Sequence, residues 1–328
     1  MFRTYTENLS SPDDLLVFRS VVTIFRCALP ALSSVHSELL HTVQETLLGS
    51  INTLPSTVCL VTLITCPRIC IASNCHTFQE LPEVISCIWA IGSIVGNTSR
   101  ISRLTISCLT NILHSKEAPI QTDKQAKRLF RLLHILGLLG KYCRFQEHAE
   151  SFKEAFPDYK HPLVSDFITD VIASFCAETT HPYVRKSALQ SLCHVCETHA
   201  SHFLKPTVLK VFDDIFQAGD AELINLVLSG IKDFLLVEEH RSDEFHGEEE
   251  TDKDAGVERL SRAANVNQND GVSTSLAQRY LERIMNVATS SQTNYALTAA
   301  QIIGSILRQG LVHPKEVCRL LFSPHCAL

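Results

Sequence analysis

Two amphipathic helices, which the pattern of residues 181–216 predicts, constrain the fold more than any other part of the chain. Pro182 stands at the first helical turn, where the amide that proline lacks would be unbonded in any case. The first helix then carries an apolar stripe at helical spacing, formed by Val184, Ala188, Leu192 and Val195. Pro206 opens the second helix, whose stripe is Val208, Leu209, Phe212, Ile215 and Phe216. Neither helix can bury its stripe alone, so the pair is stable only when it is stacked on similar pairs.

The same unit recurs along the chain. The order Pro-x-Val-Arg-x-x-Ala-x-x-x-Leu is typical of a HEAT repeat, with Ala188 allowing close helix approach and Arg185 facing outward. Another helix begins about 39 residues later, and Ala299 and Ile303 repeat the pattern of Ala188 and Leu192 at an offset of 111 residues. That offset is close to three repeat periods of about 37–40 residues. The sequence therefore predicts an all-α fold, an α-solenoid of HEAT-type repeats, with arrays at 1–240 and 274–328.

Residues 241–273 interrupt this pattern. The segment Glu238–Asp254 holds nine acidic residues against Arg241 and Lys253 and includes Gly247. An Asn/Gln run, Gly256 and Gly271 follow it. We interpret 241–273 as an acidic disordered insertion, most simply a solvating loop, or else a regulated segment near a DNA surface. The acidic segment carries the net charge of −6, so the rest of the chain is near neutral and an anionic partner is not excluded.

Cysteine usage and hydropathy point to an intracellular protein. The chain has 13 cysteines, several on apolar helix faces where a thiol acts as a small hydrophobic group, as at Cys108, Cys176 and Cys193. No apolar run reaches the length that crosses a bilayer, so no membrane partner is expected.

Two clusters resemble metal ligands. One is Cys66, Cys70, Cys75 and His76, and the other is Cys193, His194, Cys196 and His199. Structural zinc prefers two separated ligand pairs, and neither cluster has a second pair, so buried thiols are the favoured interpretation and no metal is expected.

Catalytic motifs are not found. The sequence shows no Gly-rich phosphate loop after a strand, no nucleophile elbow and no carboxylate pair at a strand end. Asp166 and Asp170 share a helix face, which we interpret as a solvated surface. The sequence therefore predicts a protein that is not an enzyme and has no cofactor.

A basic helix face is the best candidate for binding. Lys124, Lys127, Arg128 and Arg131 recur at i, i+3, i+4 and i+7, and we interpret Arg100 and Arg103, which precede them in the chain, as an extension of the face. Clustered cations neutralise phosphates and bind DNA without sequence preference. The alternative interpretation is an ordinary solvated helix face.

Several segments together resemble one family. They are Arg128–Tyr142, the repeat at 182–237, Gly271–Leu281 and the run Ile306-Leu-Arg-Gln-Gly-Leu-Val-His-Pro314, in this order. They are similar to the C-terminal HEAT region of the Nipped-B/adherin cohesin loaders, the subunits that load cohesin for sister chromatid cohesion. The resemblance covers roughly residues 80–314 and is most specific at Arg308–Pro314.

The resemblance implies a nuclear scaffold that contacts duplex DNA and cohesin subunits, helps to load the ring onto chromatin and stimulates its ATPase. Two departures qualify it. Family members are longer, and the N-terminal region that binds a TPR-repeat partner has no counterpart here. The sequence also departs from the family pattern after Pro314, which suggests a truncated array. The alternative function is a generic HEAT/armadillo adaptor for peptides or protein partners, of the transport-receptor or phosphatase-scaffold type.

Overall fold

The computed structural model describes residues 12–32, 37–53, 80–117, 122–157, 159–247, 256–290 and 295–321. These ranges contain thirteen α-helices and two short 3-10 helices, and they contain no strand. The fold is all-α, an α-solenoid of HEAT-type helical repeats, as the sequence predicts. The helices are α1 (Pro12–Leu32), α2 (Ser37–Thr53), α3 (Glu80–Val95), α4 (Ser99–Glu117), α5 (Asp123–Tyr142), α6 (Ala149–Ala155), α7 (Val164–Ala173), α8 (Pro182–Thr198), α9 (Pro206–Ala218), α10 (Ala221–Gly247), α11 (Gly256–Thr289), α12 (Ala296–Arg308) and α13 (Pro314–Leu321).

The chain forms two compact units. The first consists of Met1–Pro119 and Leu138–Val164. In it α1 and α2 both pack against α3, and α4 contacts α6. An aromatic cluster adds to its core, since the ring of Phe145 lies 5.6 Å from those of both Trp89 and Phe152.

The second unit consists of Ile120–Gly137 and Ser165–Leu328. Its α5 segment, α8 and α10 pack side by side and run parallel. Ser187 Oγ donates a hydrogen bond of 2.8 Å to the Phe130 carbonyl, and a Cβ at Gly137 would lie 2.5 Å from Ser191 Cβ. A Cβ at Gly230 would likewise lie 2.6 Å from Cys193 Cβ. Glycine at these two positions therefore permits the close approach of the helices.

The repeat that the sequence predicts at 181–216 is present. All four side chains of the α8 stripe are fully buried, as are Val208, Phe212 and Ile215 of α9. Helix α9 ends at Gly219, whose φ of +70° is the left-handed conformation that favours glycine. Arg185, in contrast, does not face outward: it is half-buried, and its Nε donates a hydrogen bond of 2.9 Å to the Cys176 carbonyl.

The spacing of the later repeats differs from the prediction. Helix α10 begins 39 residues after α8, but only α11 separates α10 from α12 in the described ranges. The offset of 111 residues therefore spans two helix-pair steps and not three. The reason is helix length, because α10 has 27 residues and α11 has 34, so one pair takes up nearly the length of two ordinary repeats.

Much of the expected disordered insertion is helical. Residues 241–247 belong to α10 and 256–273 to α11, whereas 248–255 lie outside the described residues. Contacts between the two helices explain the difference: Asn269 Nδ2 donates to Glu238 Oε2 at 3.0 Å, and Val272 is buried. Burial raises the pKa of Glu238, with Arg241 and Asn269 opposing the rise. Tertiary packing thus overrides a composition that by itself indicates disorder.

Hydropathy and cysteine burial agree with a packed helical protein. None of the described helices is long and apolar enough to cross a lipid bilayer. Most of the described cysteines are buried as free thiols, and burial raises the pKa of Cys108 to about 11 and that of Cys176 to about 12. Protonated thiols of this kind act as packing groups.

Candidate nucleic-acid interface

The basic face lies on the first turns of α5, whose start is fixed by a capping box. The backbone amide of Gln125 donates to Thr122 Oγ1 at 3.3 Å, and the Thr122 amide donates to Gln125 Oε1 at 3.1 Å. These reciprocal bonds satisfy two amides that would otherwise lack partners. The helix therefore begins at Asp123, and the cations of the basic face stand within its first turns.

Three of the four basic side chains are well placed for a ligand. Lys124, Lys127 and Arg128 are exposed. Arg131, one turn further on, is half-buried, and burial lowers its pKa, although a guanidinium stays charged under ordinary conditions. We refer to Lys124, Lys127, Arg128 and Arg131 as the α5 face.

The opposite side of α5 holds the helix in the second unit. Ala126, Leu129 and Leu133 are buried, and the backbone at Phe130 accepts the hydrogen bond from Ser187. Because one side of the helix is fixed in the core, the backbone positions of the cations on the other side are fixed within the second unit. A rigid helix that displays several cations can contact phosphates along a nucleic-acid backbone.

The helices that pack beside α5 differ from it in charge, since the start of α10 carries the acidic residues Asp220 and Glu222. Lys186 of α8 forms an ion pair with Glu222 of α10, and Asp220 caps α10 by accepting hydrogen bonds from the Glu222 and Leu223 amides at 3.0 and 3.2 Å. The charge of Lys186 on α8 is thus balanced by a carboxylate of the next helix.

Arg100 and Arg103 lie on α4 in the first unit. Arg100 forms an ion pair with Glu45 of α2, so part of its charge is balanced locally. Arg103 is exposed. That Arg100 and Arg103 extend the α5 face stays a prediction.

The structure gives different outcomes for the two Cys/His clusters and for Asp166. Cys66, Cys70, Cys75 and His76 lie outside the described residues. Among the described residues no group of three or more His, Cys, Asp or Glu side chains is arranged to hold a metal ion, and burial raises the pKa values of the Cys193 and Cys196 thiols. Asp166 is not a solvated surface residue, because it is buried and forms an ion pair with Lys205.

Sequence reasoning missed a second group of cations, on α11. Arg279 Nη2 and Arg283 Nη1 contact the two carboxylate oxygens of Asp213 on α9, at 2.5 and 3.0 Å. The Arg283 guanidinium also lies over the rings of Phe216 and Tyr280. The i, i+4 spacing of the arginines is visible in the sequence, but the shared carboxylate is 66 and 70 residues away and gives no local signal.

Comparisons with known proteins agree with this fold. A family model described as the sister chromatid cohesion C-terminus matches residues 273–323. Sister chromatid cohesion protein 2 of Saccharomyces cerevisiae is 23% identical over 314 residues, 90% of this chain and 19% of that protein. The Nipped-B protein of Drosophila melanogaster is 24% identical over 245 residues, 71% of this chain and 11% of that protein.

A solved structure is also similar. The C-terminal fragment of the Chaetomium thermophilum cohesin loader SCC2 superposes with a TM-score of 0.78 and 28% identity, covering 99% of this chain and 22% of that chain. The chain thus spans about a fifth or less of the length of these relatives.

The family match corrects one expectation about the end of the chain. It contains the run Arg308–Pro314 and continues through residue 323, so the family pattern does not stop at Pro314. Helix α13 packs against α11 there, with Val317 buried. The matches and the repeat fold together show that the chain is similar to part of the C-terminal region of the Nipped-B/adherin cohesin loaders.

Proposed function

We propose that this stretch of a cohesin loader binds duplex DNA through the α5 face and contacts cohesin subunits in the nucleus. In this way it helps to load the ring onto chromatin and to stimulate the ATPase of cohesin. The observation that carries the proposal is the exposure of Lys124, Lys127 and Arg128 on one helix of a chain that is similar to cohesin loaders. The similarity to cohesin loaders supports this function over that of a generic transport or phosphatase adaptor.

The DNA part of the proposal is tested by charge reversal at exposed positions. Lys124→Glu, Lys127→Glu and Arg128→Glu avoid the half-buried Arg131 and so spare the core. We expect the triple variant to bind a labelled duplex at least about tenfold more weakly at low salt, because each lost phosphate contact reduces counterion release. Fluorescence anisotropy over a salt series measures both the affinity and its salt dependence.

A matched control makes the same change in charge elsewhere. Lys116, Arg144 and Lys160 are exposed in the first unit, and reversing them to Glu alters net charge equally. We expect this control to lower affinity far less than reversal of the α5 face. Equal losses for the two triple variants would show a general charge effect and would remove the α5 face as the DNA site.

The cohesin part of the proposal needs a separate measurement. Purified cohesin is mixed with the chain, and ATP hydrolysis is followed with and without duplex DNA. We expect stimulation by the wild-type chain and a smaller DNA-dependent increase with the α5 triple variant. Binding of DNA without any association with cohesin would restrict the function to DNA contact.

A further inference from the structure

The start of α8 lies beside the start of α5, so it forms part of the surroundings of the α5 face. The two helices run parallel, and Ser187 Oγ of α8 donates a hydrogen bond of 2.8 Å to the Phe130 carbonyl of α5. One helical turn before this contact stand Lys127 on α5 and Tyr183 on α8. The register of the two helices therefore brings Tyr183 close to Lys127.

A contact further along the two helices shows which of their sides face each other. The rings of His134 on α5 and His194 on α8 lie 6.2 Å apart. Lys127 precedes His134 by seven residues, and Tyr183 precedes His194 by eleven, so each shares a helix side with its histidine. The side of α5 that carries Lys127 thus faces the side of α8 that carries Tyr183.

The ring of Tyr183 is held in place, but the fold does not use its hydroxyl. The side chain is half-buried, and its ring lies 5.5 Å from the ring of His181, at an interplanar angle of 34°. Among the described residues none forms a hydrogen bond with the Tyr183 hydroxyl, which is open to solvent. A fixed ring with an unbonded hydroxyl is an available donor, and tyrosine hydroxyls are among the groups that bind DNA phosphates.

The starts of α10 and α12 have acidic surroundings instead. Asp220 and Glu222 begin α10, and Glu222 forms an ion pair with Lys186 of α8. At the start of α12, burial raises the pKa of Tyr295, and the nearby Glu222 and Asp220 add to the rise while Lys186 opposes it. Carboxylates repel a phosphate. A phosphate backbone is therefore favoured next to Tyr183 and disfavoured next to Tyr295.

We propose that the Tyr183 hydroxyl donates a hydrogen bond to a phosphate of the duplex that the α5 face contacts, and that His181 is a positioning residue that fixes the tyrosine ring. This inference rests on the proposed function and adds α8 to the DNA-binding surface. The duplex then lies across the first turns of α5 and α8. Because the hydroxyl is uncharged and phosphates carry no sequence information, the contact adds affinity without adding counterion release or sequence preference.

The test removes the hydroxyl and keeps the ring. We expect Tyr183→Phe in the full chain to bind a labelled duplex about threefold to fivefold more weakly, as for one hydrogen bond at an accessible site. The slope of log affinity against log salt should stay unchanged, because no charge is lost. Tyr295→Phe is the matched control and should bind as the wild type does. Wild-type affinity of Tyr183→Phe, or a loss that comes with a smaller salt slope, would overturn the proposal.

Variants of His181 test its positioning role. His181→Ala removes the stacked ring and should lower duplex affinity, whereas His181→Phe keeps a ring and should retain it. In the Tyr183→Phe background His181→Ala should cause no further loss, because the hydroxyl through which His181 acts is already absent. Losses that add in the double variant would show that His181 contacts DNA by itself and would overturn the positioning role. Urea unfolding shows that each variant is folded.

Two comparisons separate this inference from the proposed function. If charge reversal on the α5 face weakens binding and Tyr183→Phe does not, the DNA site stands and Tyr183 lies outside it. If charge reversal leaves the affinity unchanged, the proposed function fails and this inference fails with it. The loss in Tyr183→Phe should also be equal for A·T-rich and G·C-rich duplexes. A loss confined to one of them would mean that Tyr183 contacts a base, which contradicts the phosphate contact.

Discussion

Two groups of cations in the second unit look alike in the sequence but differ in the structure. Lys124, Lys127 and Arg128 are exposed on α5. Arg279 and Arg283 of α11, at the same helical spacing, share the carboxylate of Asp213 on α9 and lie against aromatic rings. The comparison shows that helical spacing identifies a cluster of charges but does not reveal which residues far away in the sequence contact it.

Arg308 resembles Arg279 and Arg283, because it too contacts a carboxylate on another helix. Its Nε and Nη2 donate to the Glu239 carboxylate of α10 at 2.6 and 3.0 Å. The next residue, Gln309, donates through Nε2 to the Leu235 carbonyl at 2.9 Å, and Gly310 adopts a φ of +66°. The run Arg308–Pro314, which the sequence marks as specific to the family, therefore joins α12 to α10 and ends the helix.

Buried histidines contrast most clearly with the exposed cations of the α5 face. They also give the largest effect that we expect on stability, which is a loss at low pH. His134 is on α5 itself, one turn after Phe130, yet burial, with His194 nearby, lowers its pKa to about 3. Burial, with Lys205 and His199 adding to the effect and Asp166 opposing it, lowers the pKa of His202 to about 4. Helix α5 thus carries exposed charges in its first turns, whereas its buried histidine is neutral.

Acid should therefore destabilise the fold. Both pKa values lie below the unfolded value of about 6.5, so below that pH the unfolded chain binds protons that the folded chain does not. Stability should be complete above about pH 6.5 and should fall as the pH decreases toward 4. We expect each histidine to cost about 2 kcal/mol between pH 7 and pH 5, measured by urea unfolding at both values.

Substitution separates these histidines from a general effect of acid. His134→Phe keeps an aromatic ring without a titrating group, and it should reduce the loss of stability between the two pH values. The exposed His240→Gln should leave the pH dependence unchanged. A urea midpoint that is the same at pH 7 and pH 5 would contradict the assignment of neutral buried histidines.

A smaller effect is expected from the shared carboxylate on α9. Asp213→Ala removes the partner of both Arg279 and Arg283 and leaves two guanidinium groups close together. We expect the free energy of unfolding to decrease by more than it does in the control variant, because two partly exposed ion pairs disappear at once. Urea unfolding measures the loss, and Glu282→Ala, at an exposed position of α11, is the matched control. A loss no larger than that of the control would place these arginines with those of the α5 face.

The sequence predicted the parts of the structure that depend on local periodicity. The stripes on α8 and α9, the all-α class and the exposure of Lys124, Lys127 and Arg128 follow from spacing within one helix. The length of α10 and α11 did not follow, because the contact between Asn269 and Glu238 stabilises helix where composition indicates disorder.

Polar contacts between residues far apart in the sequence could not be predicted from local patterns either. Asp166 looks like a surface acid from its helix face, but Lys205 and His202 enclose it. The Cys176 carbonyl that turns Arg185 inward is set by a chain reversal that no periodicity describes. The end of α7 at Ala173 could not be placed either, because a stripe of apolar residues fixes the end of a helix only loosely.

The smallest expected change in stability follows from removing single cations of the α5 face. It distinguishes these cations most directly from Arg279 and Arg283. Lys124→Ala, Lys127→Ala and Arg128→Ala should each alter the free energy of unfolding by less than about 0.5 kcal/mol, as for exposed surface positions. Each should also reduce the slope of log affinity against log salt for duplex DNA by about one. Urea unfolding and an anisotropy salt series on the same preparations give both values. A loss of stability comparable to that of Asp213→Ala, with an unchanged salt slope, would mean that these cations support the fold and do not contact DNA.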